Sequence, residues 1–124
     1  YRITVKREGP ARDGLPGGVG SCFLHDAVSQ GSLLDIAPPR GSFVLDGRSS
    51  RPVVLVSGGV GLTPMVSMLH ALARERSRRV FFLHACDDGE VHALREEVDA
   101  LAARREGITV RYCYRHPTPD DRGS

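Results

Sequence analysis

The sequence predicts an α/β fold that follows a β-rich segment, and two patterns carry this prediction. From residue 52 onward, runs of apolar and β-branched residues alternate with stretches of helical periodicity, in the order strand, helix, strand, helix, strand. This order is typical of the first half of a doubly wound parallel sheet. Residues 1–47 lack that alternation and hold short extended patterns separated by Pro and Gly, which is typical of an antiparallel sheet or barrel.

The β-rich segment contains strand candidates and a glycine-rich turn. Residues 1–7 alternate apolar and polar side chains as a half-buried strand does, and residues 33–36 and 43–45 are further short apolar runs. Residues 16–21 have the sequence Pro-Gly-Gly-Val-Gly-Ser and lead into a short helical stretch. Ser21 is placed to cap that helix and to donate its hydroxyl to a bound phosphate, with a simple capped loop as the alternative.

The parallel segment begins after a Gly-Arg-Ser-Ser linker at residues 47–50. The linker predicts two domains, residues 1–48 and residues 49–124. Within the second domain, apolar runs and helical periodicity predict strands at 52–56, 80–84 and 108–112, and helices at 65–73 and 90–105.

A glycine-rich turn, Ser57-Gly-Gly-Val-Gly-Leu-Thr-Pro64, joins the first of these strands to the first helix. Glycines let the backbone approach an anion, and the free N–H groups of the first helical turn then point at it. Thr63 is the predicted N-cap, and Pro64 is predicted at the first helical position. The turn matches only the first half of the dinucleotide fingerprint, because Pro64 replaces its third glycine. A tight connection without a ligand is the alternative.

The carboxyl ends of the predicted strands should lie at one edge of the sheet, where ligands bind in such folds. Residues 58–63, 84–88 and 114–117 follow strand ends and are expected there. His84 is the candidate ionisable contact to a nucleotide, with a structural polar role as the alternative. The acidic pair Asp87 and Asp88 equally fits helix capping.

Composition excludes several classes of function. The formal charge is +2, from 17 basic and 15 acidic residues, and no basic stripe indicates nucleic acid. No apolar run is long enough to cross a membrane. The three cysteines are far apart in the sequence and form no zinc or iron–sulfur motif, so no metal site is predicted and reduced thiols in the cytoplasm are expected.

Several stretches, in this order and spacing, resemble the ferredoxin–NADP reductase superfamily, above all the reductase modules of flavohaemoglobins and related multidomain oxidoreductases. The matching stretches cover nearly the whole chain: residues 1–8, 18–26, 37–43, 57–65, 84–93 and 114–117. The resemblance implies that the β-rich segment is the C-terminal part of an antiparallel flavin-binding barrel. It also implies that the parallel segment is the first half of a nucleotide-binding sheet.

The resemblance further implies two cofactors, FAD and NADH, with NADPH possible. The residues implied for FAD, on the pyrophosphate and adenylate side, are Thr4, Val5, Lys6, Arg7, Val19, Gly20 and Ser21. The residues assigned to NAD(P)H are Gly58, Gly59, Val60, Gly61, Leu62, Thr63, Pro64, His84 and Arg115, with Thr63 beside the nicotinamide. The role of Lys6 comes from the resemblance alone, and a solvated strand lysine is its alternative. No catalytic acid or base is assigned, because the flavin supplies the chemistry.

The resemblance implies a reductase that passes electrons from NAD(P)H through FAD to a globin haem or a [2Fe–2S] centre, on the same parent chain or on a partner. Family motifs for the isoalloxazine and for the closing half of the nucleotide sheet are not found. We therefore expect a fragment that is inactive by itself. A regulatory nucleotide-binding module without turnover is the alternative. NADH is the expected nucleotide on two grounds, although Arg115 would favour NADPH. Asp87 and Asp88 would repel a 2′-phosphate, and Tyr114 replaces the serine that NADPH-specific relatives place before Arg115.

Overall fold

The computed structural model describes residues 1–10, 14–75 and 77–123. The chain forms two compact units, Tyr1–Ser42 and Phe43–Ser124, here called the N-terminal unit and the C-terminal unit.

The N-terminal unit is organised around helix α1, Val19–Asp26. The extended backbone before it is tied to this helix. The Nε2 atom of His25 lies 2.7 Å from the carbonyl oxygen of Val5, and Arg7 donates two hydrogen bonds to Asp26, at 3.1 and 2.9 Å. The N–H of Gly18 donates to the carbonyl oxygen of Glu8 at 2.8 Å. Residues 5–8 therefore use their backbone and side chains to bind a helix and its entry turn.

The antiparallel sheet predicted for residues 1–47 is not observed, because the described part of this segment contains no paired strand. Its apolar side chains remain uncovered: Ile3 is 70% exposed and Leu33 is 99% exposed. Alternation defines which face a strand would bury, but a strand forms only where another backbone lies alongside it. Here the nearest partner of residues 5–8 is helix α1 instead.

The C-terminal unit contains the predicted parallel sheet. Strands β1 (Val53–Gly58), β2 (Val80–Cys86) and β3 (Ile108–Tyr114) pair in the order β1-β2-β3, and both pairings are parallel. Helices α2 (Leu62–Arg74) and α3 (Arg95–Ala103) connect the strands. Single 3₁₀ turns occupy Gly59–Gly61 and Pro119–Gly123. The strand–helix–strand–helix–strand prediction is confirmed.

One face of this sheet packs against the helices and forms the core. Leu55, Phe82 and Val110 lie side by side in register across the three strands, and Leu55 and Phe82 are buried with residues of α2 and α3. The opposite face is open: Val54 and Val56 are 58% and 64% exposed. A two-faced apolar pattern is expected of a parallel strand, which is normally covered on both sides.

Helix α3 begins later than predicted. Residues 90–94 form turns, because the carboxylate of Asp88 accepts hydrogen bonds from the N–H groups of Glu90 and Val91, both at 3.0 Å. Leu94 then adopts a left-handed conformation with φ of 59° directly before the helix. Helical spacing of Val91 with the later residues was therefore coincidental, and Val91 is 61% exposed.

Two buried arginines support the opposite end of the sheet. Arg78 donates to the carbonyl oxygens of Arg51 at 3.1 Å and Asp46 at 2.9 Å. Arg105 donates to the carbonyl oxygen of Leu72, at the end of α2, at 2.6 Å, and to that of Arg78. Both guanidinium groups thus donate to main-chain carbonyls at or beyond the ends of helices and strands, and the carbonyl of Leu72 also accepts from the N–H of Glu75 at 3.1 Å.

The described residues include no helix that is both long enough and apolar enough to cross a membrane. Within the same residues, no group of three or more His, Cys, Asp or Glu side chains is arranged to hold a metal ion.

Candidate nucleotide-binding site

The glycine-rich turn between β1 and α2 presents open backbone. Gly59 has a φ of +49°, which side chains rarely adopt, and this left-handed residue starts the 3₁₀ turn. A Cβ atom built at Gly59 or Gly61 would meet no atom within 4 Å. The turn residues 58–61 are all exposed. The N–H of Leu62, the first of α2, donates to the carbonyl oxygens of Gly59 and Val60. Since the first N–H groups of the 3₁₀ turn have no partner within it, this opening is suited to an anion.

The start of α2 differs from the prediction in its capping. Gly61 is the N-cap and no side chain caps the helix, so Thr63 and Pro64 are the second and third helical residues. The reason is the 3₁₀ turn, which runs directly into α2 and starts the helix earlier. Pro64 still lies in the first turn, where its missing N–H removes no helical hydrogen bond. Both side chains are half-buried.

A cluster of polar rings lies beneath this turn, on the helix-covered face of the sheet. The Oγ atom of Ser57 lies 2.9 Å from Nδ1 of His84, and the His84 ring stacks on His92 with a centroid distance of 4.7 Å. Nδ1 of His92 lies 2.8 Å from the hydroxyl of Tyr114. The ring of Tyr112 packs edge-on against that of His92, with a centroid distance of 4.5 Å, and is the last member of the cluster.

Burial keeps this cluster uncharged near neutral pH. It lowers the pKa of His84, and burial together with the neighbouring His84 lowers the pKa of His92 to about 4. Burial also raises the pKa of Tyr112, whose hydroxyl donates to Asp99 at 2.7 Å, and that of Tyr114. In the described structure, Nε2 of His92 is buried without a hydrogen-bond partner. A charge on either imidazole is therefore disfavoured.

His84, the candidate ionisable contact to a nucleotide, is buried. Its side chain points to the covered face and only 2% of the residue surface is exposed. A residue at that position has no surface to offer a nucleotide in this arrangement, because even-numbered residues of β2 face the helices. The geometry matches the structural alternative, in which His84 supports the glycine turn through Ser57.

A charged corner lies at the same sheet edge, beyond β2 and β3. Nη1 of Arg115 is 3.4 Å from a carboxylate oxygen of Asp87, and both side chains are exposed. The backbone holds this pair in place, because the N–H of Arg115 donates to the carbonyl of Cys86 at 3.0 Å and that of His116 to the carbonyl of Asp87 at 2.7 Å. Asp88 is turned into the following loop and caps its N–H groups rather than those of α3.

Asp121, in the last 3₁₀ turn, fixes the loop after β2. Its carboxylate accepts hydrogen bonds from the N–H of Gly89 at 3.1 Å and from the N–H and hydroxyl of Thr118, both at 2.8 Å. The backbone hydrogen bond from Thr118 and the other hydrogen bonds lower the pKa of Asp121. A Cβ atom at Gly89 would collide with the Asp121 carboxylate, so a larger residue would have to displace that side chain from its hydrogen bonds.

The residues implied for flavin lie together in the N-terminal unit. Lys6 is exposed and 3.5 Å from Glu8. Ser21 is the third residue of α1 and not its N-cap, because the helix begins at Val19. Its hydroxyl donates to the carbonyl of Gly18 and accepts from the N–H of Glu8, both at 3.1 Å. The remaining residues of the set are exposed or half-buried: Thr4, Val5, Arg7, Val19 and Gly20.

Comparison with known proteins places this geometry in a family. Residues 55–124 match the model of the oxidoreductase NAD-binding domain. The chain belongs to this family. The flavohemoprotein of Bordetella pertussis is 49% identical over 122 residues, which are 98% of this chain and 29% of the relative. That of Bacillus subtilis is 42% identical over 123 residues, 98% of this chain and 28% of the relative.

Solved structures agree. The FAD/NAD-binding domain of nitric oxide dioxygenase from Vibrio cholerae has a TM-score of 0.82 at 40% identity, over 94% of this chain and 48% of that one. The cytochrome b5 reductase domain of Ulva prolifera nitrate reductase has a TM-score of 0.75 at 24% identity, over 94% and 48%, and shares the fold. The predicted membership of the ferredoxin–NADP reductase superfamily is confirmed.

The structure of this NAD-binding domain brings the glycine turn, His84 and Arg115 to one edge, as the sequence predicted. It adds residues that sequence reasoning missed: Ser57, His92, Tyr112 and Tyr114. Ser57, His84 and Tyr112 are in register on the covered face, in a row that follows apolar rows. Polar residues at equivalent ends of otherwise apolar strands were the pattern that could have revealed them.

A cavity of about 600 Å³ lies elsewhere, along β1 and the segment before it. Its lining includes Phe43, Val54, Val56 and Met68, and it contains none of the residues predicted to bind a cofactor. The cavity is lined by apolar side chains together with Asp46, Ser49, Arg51 and Arg78, whereas the glycine turn presents open backbone. The turn therefore carries the functional assignment.

Proposed function

We propose that this chain is part of a flavin-dependent reductase that takes electrons from NAD(P)H, passes them to FAD and delivers them to a haem. The observation that carries the proposal is the open glycine turn at the carboxyl edge of the parallel sheet. It occurs in a chain 49% identical to a flavohemoprotein. The chain spans 29% of that relative's length, so the activity, acceptor and partners belong to this proposal.

The glycine turn would hold the pyrophosphate of the dinucleotide. Its residues are exposed, and the first turn of α2 contains no acidic side chain. Hydrogen bonds from backbone N–H groups to a charged phosphate are roughly twice as strong as those between neutral groups. Thr63, in the first turn of α2, is assigned to the nicotinamide side by the family resemblance.

The Asp87–Arg115 corner would meet the adenosine ribose. The carboxylate of Asp87 forms an ion pair with the guanidinium of Arg115 at 3.4 Å, and its negative charge would repel a 2′-phosphate. This arrangement favours NADH over NADPH, in agreement with the expectation drawn from Tyr114. The N-terminal unit would hold FAD through Lys6 and the turn before α1. The backbone contacts of Glu8 with Gly18 and Ser21 keep these two segments side by side.

The flavin, when bound, accepts a hydride and releases single electrons. The chain's residues then need only bind and orient the nucleotide and the flavin. The described ionisable rings near the turn fit this division of labour, because burial keeps His84 and His92 neutral and leaves neither poised to exchange a proton. The predicted cytoplasmic location stays a prediction.

The test is a chimaera, because the chain spans a part of its relatives. The aligned 122-residue segment replaces its counterpart in the Bordetella pertussis flavohemoprotein, and the unmodified relative is the control. Purified chimaera with flavin and haem absorbance should show NADH-dependent reduction of both groups. Flavin that NADH does not reduce, in a chimaera with normal haem and flavin spectra, would contradict the proposal and favour a nucleotide-binding module without turnover.

A further inference from the structure

We propose that Ser57, His84, His92 and Tyr114 form a side-chain relay that sets the spacing between the glycine turn and the Asp87–Arg115 corner. We call these four residues the histidine relay. They would be positioning residues for the dinucleotide, because they act through the backbone at the two ends of the site. The inference rests on the proposed function, because the two ends it connects are the two ends of the proposed nucleotide site.

The relay is continuous across the sheet. Ser57 on β1 is 2.9 Å from His84 on β2, and His84 stacks on His92 at 4.7 Å with the rings tilted by 33°. His92 lies in the loop before α3 and is 2.8 Å from the Tyr114 hydroxyl on β3. The contacts therefore join all three strands through side chains, in addition to the backbone ladder.

Both ends of the relay adjoin the proposed site in sequence. Ser57 directly precedes Gly58, the first glycine of the turn. Tyr114 directly precedes Arg115, whose guanidinium pairs with Asp87. A shift of either end of the relay would move backbone that the nucleotide has to meet. His92 also joins the loop that Asp88 and Asp121 hold after β2.

Packing alone does not account for these residue types. Two residues earlier on each strand, the row that corresponds to Ser57, His84 and Tyr112 holds Leu55, Phe82 and Val110. Apolar side chains could fill the later row as well, without burying polar nitrogens. Buried polar groups cost stability unless they are paired, and pairing fixes distance and direction. In the described structure, His92 has one buried nitrogen without a hydrogen-bond partner. The burial of this unpaired nitrogen therefore lowers the free energy of unfolding.

A ligand that spans both ends depends on their spacing. Displacement of a binding group by about 1 Å in a preorganised site costs up to about 100-fold in function. Loss of one neutral hydrogen bond in the relay is a smaller perturbation and should weaken a spanning ligand by about 3–10-fold. A ligand that touches only the glycine turn should be unaffected by a change at the far end.

The experiment uses Tyr114→Phe, which removes one hydroxyl at the end of the relay away from the turn, and Ser57→Ala at the near end. Tyr1→Phe and Ser67→Ala are matched controls, because both residues are exposed and lie outside the relay. Ser57→Thr restores a hydroxyl. Dissociation constants for NADH and for inorganic pyrophosphate are measured by ¹⁵N-resolved NMR titration of the full chain, with thermal unfolding of each variant.

Tyr114→Phe should weaken NADH by about 3–10-fold and leave pyrophosphate unchanged, and Ser57→Thr should recover most of the affinity lost in Ser57→Ala. Equal weakening of both ligands in Tyr114→Phe, or no change for either, would overturn the relay. The amide resonances of residues 58–61 give a second readout without ligand. They should shift in Tyr114→Phe and not in Tyr1→Phe. If the native chain binds no nucleotide, the proposed function fails, while these resonances still decide for or against the relay.

Discussion

The hydroxyl of Ser57 lies 2.9 Å from Nδ1 of His84, on adjacent strands whose residues are paired in register. This contact marks the level at which the covered face of the sheet changes from apolar to polar. Below it, Leu55 and Phe82 are buried in the core. Above it, the backbone turns outward into exposed glycines. The sheet therefore ends in a polar layer that supports an open turn.

Gly61→Asp should weaken nucleotide binding strongly without damaging the fold. Gly61 is the N-cap of α2, its φ is −64°, and a Cβ atom there meets nothing within 4 Å. A carboxylate at this position would repel the pyrophosphate and displace its hydrogen bonds. Two lost charge-assisted hydrogen bonds, at roughly 1.5–3 kcal/mol each, weaken binding by about 100-fold or more. Calorimetric titration with NADH measures the effect.

Gly61→Asn is the matched control, because asparagine has the same shape without the charge and is also an accepted N-cap. It should lose much less affinity than Gly61→Asp. Stability of both variants should stay within about 0.5 kcal/mol of the native value. If the native chain and Gly61→Asp bind NADH with equal affinity, the pyrophosphate does not bind at this turn.

Asp87→Asn should shift the nucleotide preference towards NADPH. The exposed Asp87–Arg115 pair, at 3.4 Å, contributes little to stability, at about 0–1 kcal/mol. Its removal should therefore leave folding intact, while Arg115 becomes available to a 2′-phosphate. We expect the ratio of NADH to NADPH affinity to fall by about 10-fold or more, because one charge-assisted contact is worth roughly 1.5–3 kcal/mol.

Addition of Arg115→Ala to Asp87→Asn is the control, since it removes the guanidinium that the change releases. The double variant should lose the gain in NADPH affinity. A native chain that already binds NADPH ten times more tightly than NADH would make Arg115 the specificity residue and reverse the assignment.

The sequence predicts the parallel sheet well because its information is local. Each strand is a continuous apolar run, and the glycines between β1 and α2 have a backbone reason to be there, since Gly59 adopts a positive φ. The start of α3 was wrong because the Asp88 carboxylate competes for the N–H groups of Glu90 and Val91. A side chain that caps a loop is not visible in hydrophobic periodicity.

The antiparallel sheet expected in the N-terminal unit was not observed, for a different reason. Alternation in residues 1–7 was correct as a pattern of extended backbone, but it does not specify a partner. The structure supplies α1 as that partner, through Val5, Arg7 and Glu8. The sequence left two roles open for His84, a contact to a nucleotide and a structural role at the strand end. The face on which its side chain lies depends on the register of β2, and the structure places it on the covered face.

Lys6→Ala and Ser21→Ala should lower flavin occupancy in the chimaera with the Bordetella flavohemoprotein. Lys6 is an exposed cation, and Ser21 ties the turn before α1 to Glu8. We expect the double variant to lose flavin on dilution, which the ratio of flavin to haem absorbance measures. Lys6→Arg keeps the charge and serves as the control. Full retention of flavin in the double variant would exclude these residues from the FAD site.

Gly89→Ala should destabilise the C-terminal unit. The added methyl group would collide with the carboxylate of Asp121, which accepts hydrogen bonds from Gly89 and Thr118. Overpacking of this kind costs about 1–3 kcal/mol. Urea unfolding measures the loss. Gly47→Ala is the control, because a Cβ atom there meets nothing within 4 Å, and equal stability of the two variants would mean that the Asp121 contact does not hold the loop.

Stability should fall as the pH falls from about 6.5 to about 4, because His92 resists protonation in the folded chain. Burial and the adjacent His84 lower the pKa of His92 to about 4 from its ordinary 6.5, with Arg95 acting in the same direction and Asp99 and Asp121 opposing it. Between these values the unfolded chain takes up a proton that the folded chain does not, so stability decreases with each step down in pH.

The loss across this window is about 3 kcal/mol at most, since one pKa unit corresponds to about 1.4 kcal/mol. His84, whose pKa burial also lowers, adds a change of the same sign. Asp121 does not contribute within the window, because its pKa is lowered from 3.8. Its loss of stability comes at more acidic pH.

Urea unfolding at intervals from pH 7.5 to pH 4 measures the slope. His92→Phe keeps an aromatic ring beside Tyr112 but cannot titrate, so its stability should be lower at pH 7 and should vary less between pH 6.5 and pH 4. His116→Gln, at an exposed position, should leave the native slope unchanged. If His92→Phe does not reduce the slope of stability against pH, another group is responsible for the pH dependence. The imidazole of His92 would then be protonated in the folded chain without loss of stability.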